Sequence, residues 1–191
     1  QGIPTRPEHV LITTGSQQAQ WLVMNLLLHP GDTVVVESPT YPGTLELLRA
    51  LKVNIVSISV DTEGMQVDRL EEILLAHRPA LIYTIPTFQN PTGVCMSGYR
   101  RRQLLDLARR YAVPILEDEF VGDLRYEGHS QPALKALDTD GTVIYISTFS
   151  KMLMPGLRVG YIVADGPVFD HLVALKRLND IATSNLIQRA L

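Results

Sequence analysis

The chain has 191 residues, 46% of them hydrophobic, and its 17 basic and 20 acidic side chains leave a net charge of −3. That balance excludes a nucleic-acid surface, which is strongly basic, so any DNA contact would need a domain outside this chain. No stretch reaches the roughly 20 apolar residues that span a bilayer, and the N-terminus lacks a charged-then-apolar leader pattern.

Thr13-Thr14-Gly15-Ser16-Gln17-Gln18-Ala19 precedes an apolar run at residues 21–28, with no Gly or Pro between Ser16 and Pro30. Gly15 and Ser16 supply a turn and an N-cap, and a helix of about three turns follows. Its apolar residues lie all round, the mark of a buried helix. A buried helix that starts on glycine, hydroxyl and amide offers unpaired N–H groups and a positive dipole end to an anion. Alone, the same letters also describe an ordinary capped helix.

A strand at 33–37, a helix near 44–51, a strand at 53–60 and a helix near 67–76 come next, the last with Val67, Leu70, Ile73 and Leu74 as its apolar stripe. The strand at 80–85 runs into Pro86-Thr87-Phe88-Gln89-Asn90-Pro91-Thr92-Gly93. Two prolines and a glycine make that loop rigid, and it presents the neutral amide of Asn90, although Asn-Pro-Thr-Gly is also a plain turn sequence. A helix at 99–111 carries Leu104, Leu107, Ala108 and Tyr111 at helical spacing, and Arg100, Arg101 and Arg102 read as its solvated face. A strand at 114–117 ends in Glu117-Asp118-Glu119. An acid at the C-terminal edge of a parallel strand sits where open α/β sheets bind ligands; the trio also reads as the polar end of a strand. Strands at 142–147 and 158–163 and a helix from 167 to 176 or beyond complete the series. Strands alternating with helices predict an α/β fold, a three-layer sandwich around a mostly parallel sheet, and the length suits one domain.

Between the last two strands lies Ser147-Thr148-Phe149-Ser150-Lys151-Met152-Leu153-Met154-Pro155-Gly156-Leu157-Arg158. A lysine held neutral in a poorly solvated pocket captures carbonyls. Arg158, seven residues on, offers a planar fork suited to phosphate. Together they suit an aldehyde that carries a phosphate, and pyridoxal phosphate fits that description best. Asp118 would then keep a ring nitrogen protonated and strengthen the ring as an electron sink. A nucleotide-binding α/β domain is disfavoured, because no Gly-x-Gly-x-x-Gly follows a strand. The single cysteine, Cys95, excludes an internal disulfide, suits a reducing, cytoplasmic setting and reads as a buried bystander. The five histidines show no ligand spacing, so no metal is expected.

These four segments, in this order, resemble the large domain of the fold-type-I pyridoxal-phosphate-dependent aminotransferases of classes I and II, over nearly all 191 residues. The resemblance implies that Lys151 bonds the cofactor's aldehyde and shuttles the proton, that Asp118 pairs with the pyridine nitrogen, and that Asn90 donates to the ring's phenolic oxygen. It implies that Gly15, Ser16 and Gln17, with Thr148, Ser150 and Arg158, hold the phosphate. Tyr41, in Glu37-Ser38-Pro39-Thr40-Tyr41-Pro42-Gly43, resembles the aromatic that stacks on the ring. One departure stands out: a tyrosine two or three residues after the aspartate is usual, and Phe120 and Val121 occupy those positions. Asp123-Leu124-Arg125-Tyr126-Glu127-Gly128 and the wording up to Val143-Ile144-Tyr145 are similar to the effector domains of MocR-type regulators of the GntR group, with free-standing aminotransferases as the alternative. On that resemblance residues 1–191 are one large domain, with an N-terminal segment and a C-terminal small domain outside it. The ligand expected is an amino acid or amine, and the parent protein is expected to be a homodimer.

Overall fold

The computed structural model describes residues 2–191. Among them, eight strands form one sheet: β1 (Val10–Thr13), β2 (Thr33–Ser38), β3 (Asn54–Asp61), β4 (Gly64–Met65), β5 (Leu81–Thr84), β6 (Ile115–Glu119), β7 (Val143–Thr148) and β8 (Gly160–Val163). Their spatial order is β1-β8-β7-β6-β5-β2-β3-β4. The central strands β7, β6, β5, β2 and β3 run parallel. β8 is antiparallel to β7 and to β1, and β4 is antiparallel to β3. The helices are α1 (Ser16–Leu27), α2 (Pro42–Ala50), α3 (Leu70–His77), α4 (Gly98–Arg110), α5 (Leu134–Leu137), α6 (Pro167–Asn179) and α7 (Asn185–Ala190).

Successive side chains of a strand point to opposite faces, and here both faces are covered. Val34 and Val36, Leu81 and Tyr83, Leu116, and Ile144 and Ile146 pack with Leu22 and Val23 of α1, Leu48 of α2 and Leu172 of α6. The intervening residues Val35, Ile82, Ile115 and Val143 pack with Leu70 and Leu74 of α3, Leu104 and Ala108 of α4 and Leu134 of α5. The result is the expected three-layer sandwich around a mostly parallel sheet. The same alternation separates the acidic trio of β6, turning Asp118 to the α1 face and Glu117 and Glu119 to the α4 face.

Two expectations need correction. The basic cluster is only in part a solvated face: Arg102 is exposed, but Arg101 is 0% exposed. Its guanidinium donates to the backbone carbonyls of Met96, Pro132 and Pro86 and to the Thr87 hydroxyl. A planar group with five donors can satisfy that many loop acceptors at once, and periodicity alone cannot show this. The last strand begins at Gly160, not 158, because Arg158 has left-handed backbone (φ 51) and closes a tight turn over Pro155–Leu157. Strands β1 and β4 and helix α5 carry no pattern long enough to predict. No helix among the described residues is long and apolar enough to cross a membrane.

Candidate active site

The chain leaves β2 for β3 on one side and resumes at β5 on the other, so the carboxyl ends of β2 and β5 border a crevice. Loops from these ends meet the start of α1 around a cavity of about 300 Å³. Ser16 and Gln17 enter it from the first turn of α1, Tyr41 from the β2–α2 loop and Asn90 from the loop after β5. Asp118 lies on β6 and Thr148 ends β7, while Ser150, Lys151 and Arg158 come from the segment after β7. Nine of the ten residues singled out from sequence therefore share one cavity.

Gly15, the tenth, stands one step behind the lining. It has φ 121, and a Cβ built there would fall 2.7 Å from Nη2 of Arg158. Its bare backbone is what lets the guanidinium lie against the start of α1, beside the free N–H groups of the first turn. Arg158 also donates to Ser150 Oγ at 3.4 Å, and Ser150 N donates to Thr148 Oγ1 at 3.2 Å. Hydroxyls, a guanidinium and a helix N-terminus thus converge where an anion would sit.

Asp118 is 3% exposed. Its Oδ2 accepts from Gln20 Nε2 and from the Tyr83 hydroxyl, each at 2.8 Å, and Thr44 Oγ1 orients Gln20 by donating to its Oε1 at 2.8 Å. Oδ1 has no hydrogen-bond partner among the described residues. Burial lifts the Asp118 pKa to about 6, hydrogen bonds from Tyr83 and Gln20 pull it back, and the Glu37 charge adds to the rise. A buried carboxylate oxygen without a donor is costly, and a cationic N–H brought by a ligand would relieve that cost.

Lys151 lines the cavity but its side chain is exposed, which corrects the expectation of a poorly solvated pocket. The reason is local. Residues 151–158 form the outer wall, with neighbouring Leu153 and Met154 59% and 54% exposed, so no apolar layer among the described residues covers the amine. Phe120 also lines the cavity and packs on the α1-side core. Cys95 is half-buried; it accepts from Phe88 N at 3.4 Å and from Arg125 Nη2 at 3.6 Å.

Sequence reasoning missed Gln20, Thr44 and Tyr83, which hold Asp118, and Gly160. A Cβ at Gly160 would meet Ser147 O at 2.6 Å and the Gly15 backbone at 2.8 Å. Glycine inside a strand pattern signals such an approach, and this was the one available cue. Gly160→Ala must push backbone against backbone. It is expected to lower stability by about 1–3 kcal/mol in urea unfolding and to weaken phosphate-ligand binding through the displaced Gly15 turn. An unchanged midpoint together with unchanged affinity would show that the approach is not tight.

The fold is an open α/β domain whose cavity has anion-suited donors at one end and a buried carboxylate among its other lining residues. The family model for aminotransferases of class I and II matches residues 1–191, and the chain belongs to that family. It is 42% identical to aromatic-amino-acid aminotransferase 1 of Thermococcus litoralis, over 97% of this chain and 46% of that protein. The crystal structure of LysN, an α-aminoadipate aminotransferase from Thermus thermophilus complexed with N-(5'-phosphopyridoxyl)-L-leucine, superposes with a TM-score of 0.93 at 38% identity, over 97% of this chain and 48% of that one. An uncharacterized HTH-type transcriptional regulator of Bacillus subtilis is 34% identical over 98% of this chain and 39% of its own length. The chain spans about half the length of the aminotransferases it matches.

Proposed function

We propose that this chain is the cofactor-binding large domain of an enzyme that moves an amino group between an amino acid and a 2-oxo acid, with pyridoxal phosphate in the cavity. The observation that carries the reading is the partnerless Oδ1 of buried Asp118, in one cavity with Lys151 and Arg158. The residues present fit the cofactor end to end. Asp118 suits a protonated ring nitrogen; Ser16, Gln17, Thr148, Ser150 and Arg158 suit the phosphate; Tyr41 suits the ring face. When bound, the cofactor supplies an aldehyde and an electron-withdrawing ring.

The rest is the work of this chain's side chains. Asp118, held by Gln20 and Tyr83, keeps the proton on the ring nitrogen. Asn90 donates to the phenolic oxygen, and Phe120 leaves it the main donor there. Lys151 Nζ would be the group that bonds the aldehyde, and as a free amine it would take up and return the substrate's α-proton. Exposed Lys151 needs cover to work in a dry site. A second copy of the chain and segments beyond residues 1–191, including a small domain that binds the substrate carboxylate, are proposed to supply it. Aromatic amino acids and 2-aminoadipate, the compounds for which two relatives are named, are the donors to try first.

A second reading, the ligand-sensing domain of a MocR-type regulator, draws on the match to the Bacillus regulator. It ranks lower because the aminotransferase matches are stronger, at 42% against 34% identity. The two separate in one assay on the full-length protein loaded with pyridoxal phosphate, with an aromatic amino acid or 2-aminoadipate as donor and 2-oxoglutarate as acceptor. Repeated, equimolar release of the donor's oxo acid and glutamate is expected. A spectral change on adding donor, with no oxo acid released, would replace the enzyme reading with the sensor.

A further inference from the structure

We propose that Glu37 and Gln89, neither of which lines the cavity, form a buried strut that sets the spacing between Tyr41 and Asn90 and so positions both against the ring; the inference rests on the cofactor reading above. Glu37 is the penultimate residue of β2 and is 2% exposed, as is Gln89. The Glu37 carboxylate accepts from Thr84 Oγ1 at 2.6 Å, from Ile85 N at 3.1 Å and from Gln89 Nε2 at 3.2 Å. Gln89 Nε2 also donates to the carbonyl of Pro39 at 2.7 Å. Gln89 Oε1 accepts from Thr92 N at 3.1 Å and Thr92 Oγ1 at 2.7 Å. An amide side chain has two donors and two acceptor positions, and Gln89 uses all four.

What makes this more than a satisfied polar cluster is where its ends lie. Pro39 is two residues before Tyr41, and Gln89 immediately precedes Asn90. One side chain therefore ties together two loops that leave different strands, β2 and β5, each delivering one cavity residue. A core needing only stability would fill this place with apolar groups, because a buried carboxylate is expensive even when it is hydrogen-bonded. Burial does raise the Glu37 carboxyl above its ordinary range, against the pull of Thr84, Ile85 and Gln89. The retained cost makes sense when the geometry it secures is used.

The test uses the full-length protein with Gln89→Leu, Thr92→Val, Glu37→Gln and Glu37→Ala. Amide hydrogen exchange over residues 38–41 and 89–94 is read without added cofactor; the visible spectrum and the dissociation constant are read with pyridoxal phosphate. Gln89→Leu is expected to quicken exchange in both loops, weaken cofactor binding about tenfold and shift the bound-cofactor band. Thr92→Val, at an exposed position, should quicken exchange at 89–94 and shift the band less, and it carries the test should Gln89→Leu not fold. Glu37→Gln keeps an acceptor for Gln89 and should rescue most of the affinity lost in Glu37→Ala. Lower melting temperatures with an unaltered band and affinity, or exchange at 38–41 that ignores Gln89→Leu, would overturn the strut. Absence of a bound-cofactor band in the wild type would overturn the cofactor reading itself, and this inference with it.

Discussion

Lys151→Ala is expected to abolish turnover while leaving the fold intact. The side chain is exposed and makes none of the hydrogen bonds that hold the cavity together, so its loss removes chemistry rather than packing. Proton transfer by a positioned side chain contributes about 10²–10⁴ in rate, and loss of the amine that engages the aldehyde adds to that. A fall of about 10⁴-fold or more in amino transfer is therefore expected. The variant should still bind pyridoxal phosphate through Asp118, Arg158 and the start of α1. Its absorption should match the free aldehyde, whereas the wild type shows a lysine-dependent band. Wild-type and variant spectra that both matched free cofactor would remove Lys151 from its assigned role.

Asp118→Asn should move stability and function in opposite directions. The folded-state pKa of Asp118 is raised from 3.8 to about 6, so the folded protein binds that proton more tightly than the unfolded chain does. The stability it contributes is present below about pH 4 and disappears as pH rises through about 6. Glu117 and Glu119, both raised to about 7 chiefly by burial, act in the same sense. The unliganded protein should therefore lose stability between about pH 4 and pH 7. Asparagine can still accept from Gln20 and Tyr83 but carries no charge to bury. The variant should lose less over that window and be the more stable protein at pH 8, by on the order of 3 kcal/mol. Amino transfer should fall about 10- to 100-fold, the worth of one hydrogen bond to a charged group, because an amide cannot hold the ring nitrogen protonated. Thermal unfolding across that pH range and at pH 8, with steady-state rates, checks both halves. Lower stability at pH 8 would show that the carboxylate is compensated by something other than a ligand.

The residues proposed to do chemistry were the easier part to read. Lys151, Arg158, Asn90 and Asp118 sit in short segments whose prolines, glycines and hydroxyls flag loops at strand ends, and loops at strand ends are where an α/β sheet binds. The residues that hold them were not readable. Gln20 lies mid-helix among apolar neighbours, Tyr83 looks like one more core residue of β5, and Arg101 sits in a run that reads as solvated. Each acts through a partner far along the chain: Gln20 and Asp118 are 98 positions apart. Periodicity within a segment carries no information about such pairs. The exposure of Lys151 was likewise invisible, because burial belongs to whatever packs around a residue and not to the residue.

By itself the sequence determined the element types, the parallel α/β class and the set of groups proposed to grip a phosphorylated aldehyde, since these follow from local pattern and side-chain chemistry. Only the tertiary structure decided which of three adjacent acids faces the cavity. It also decided which oxygen of Asp118 is left bare, and that Gly160 must lack a side chain so the Gly15 turn can approach. Those outcomes depend on sheet order and on strands alternating their side chains between two differently covered faces, and both are settled only when distant segments pair.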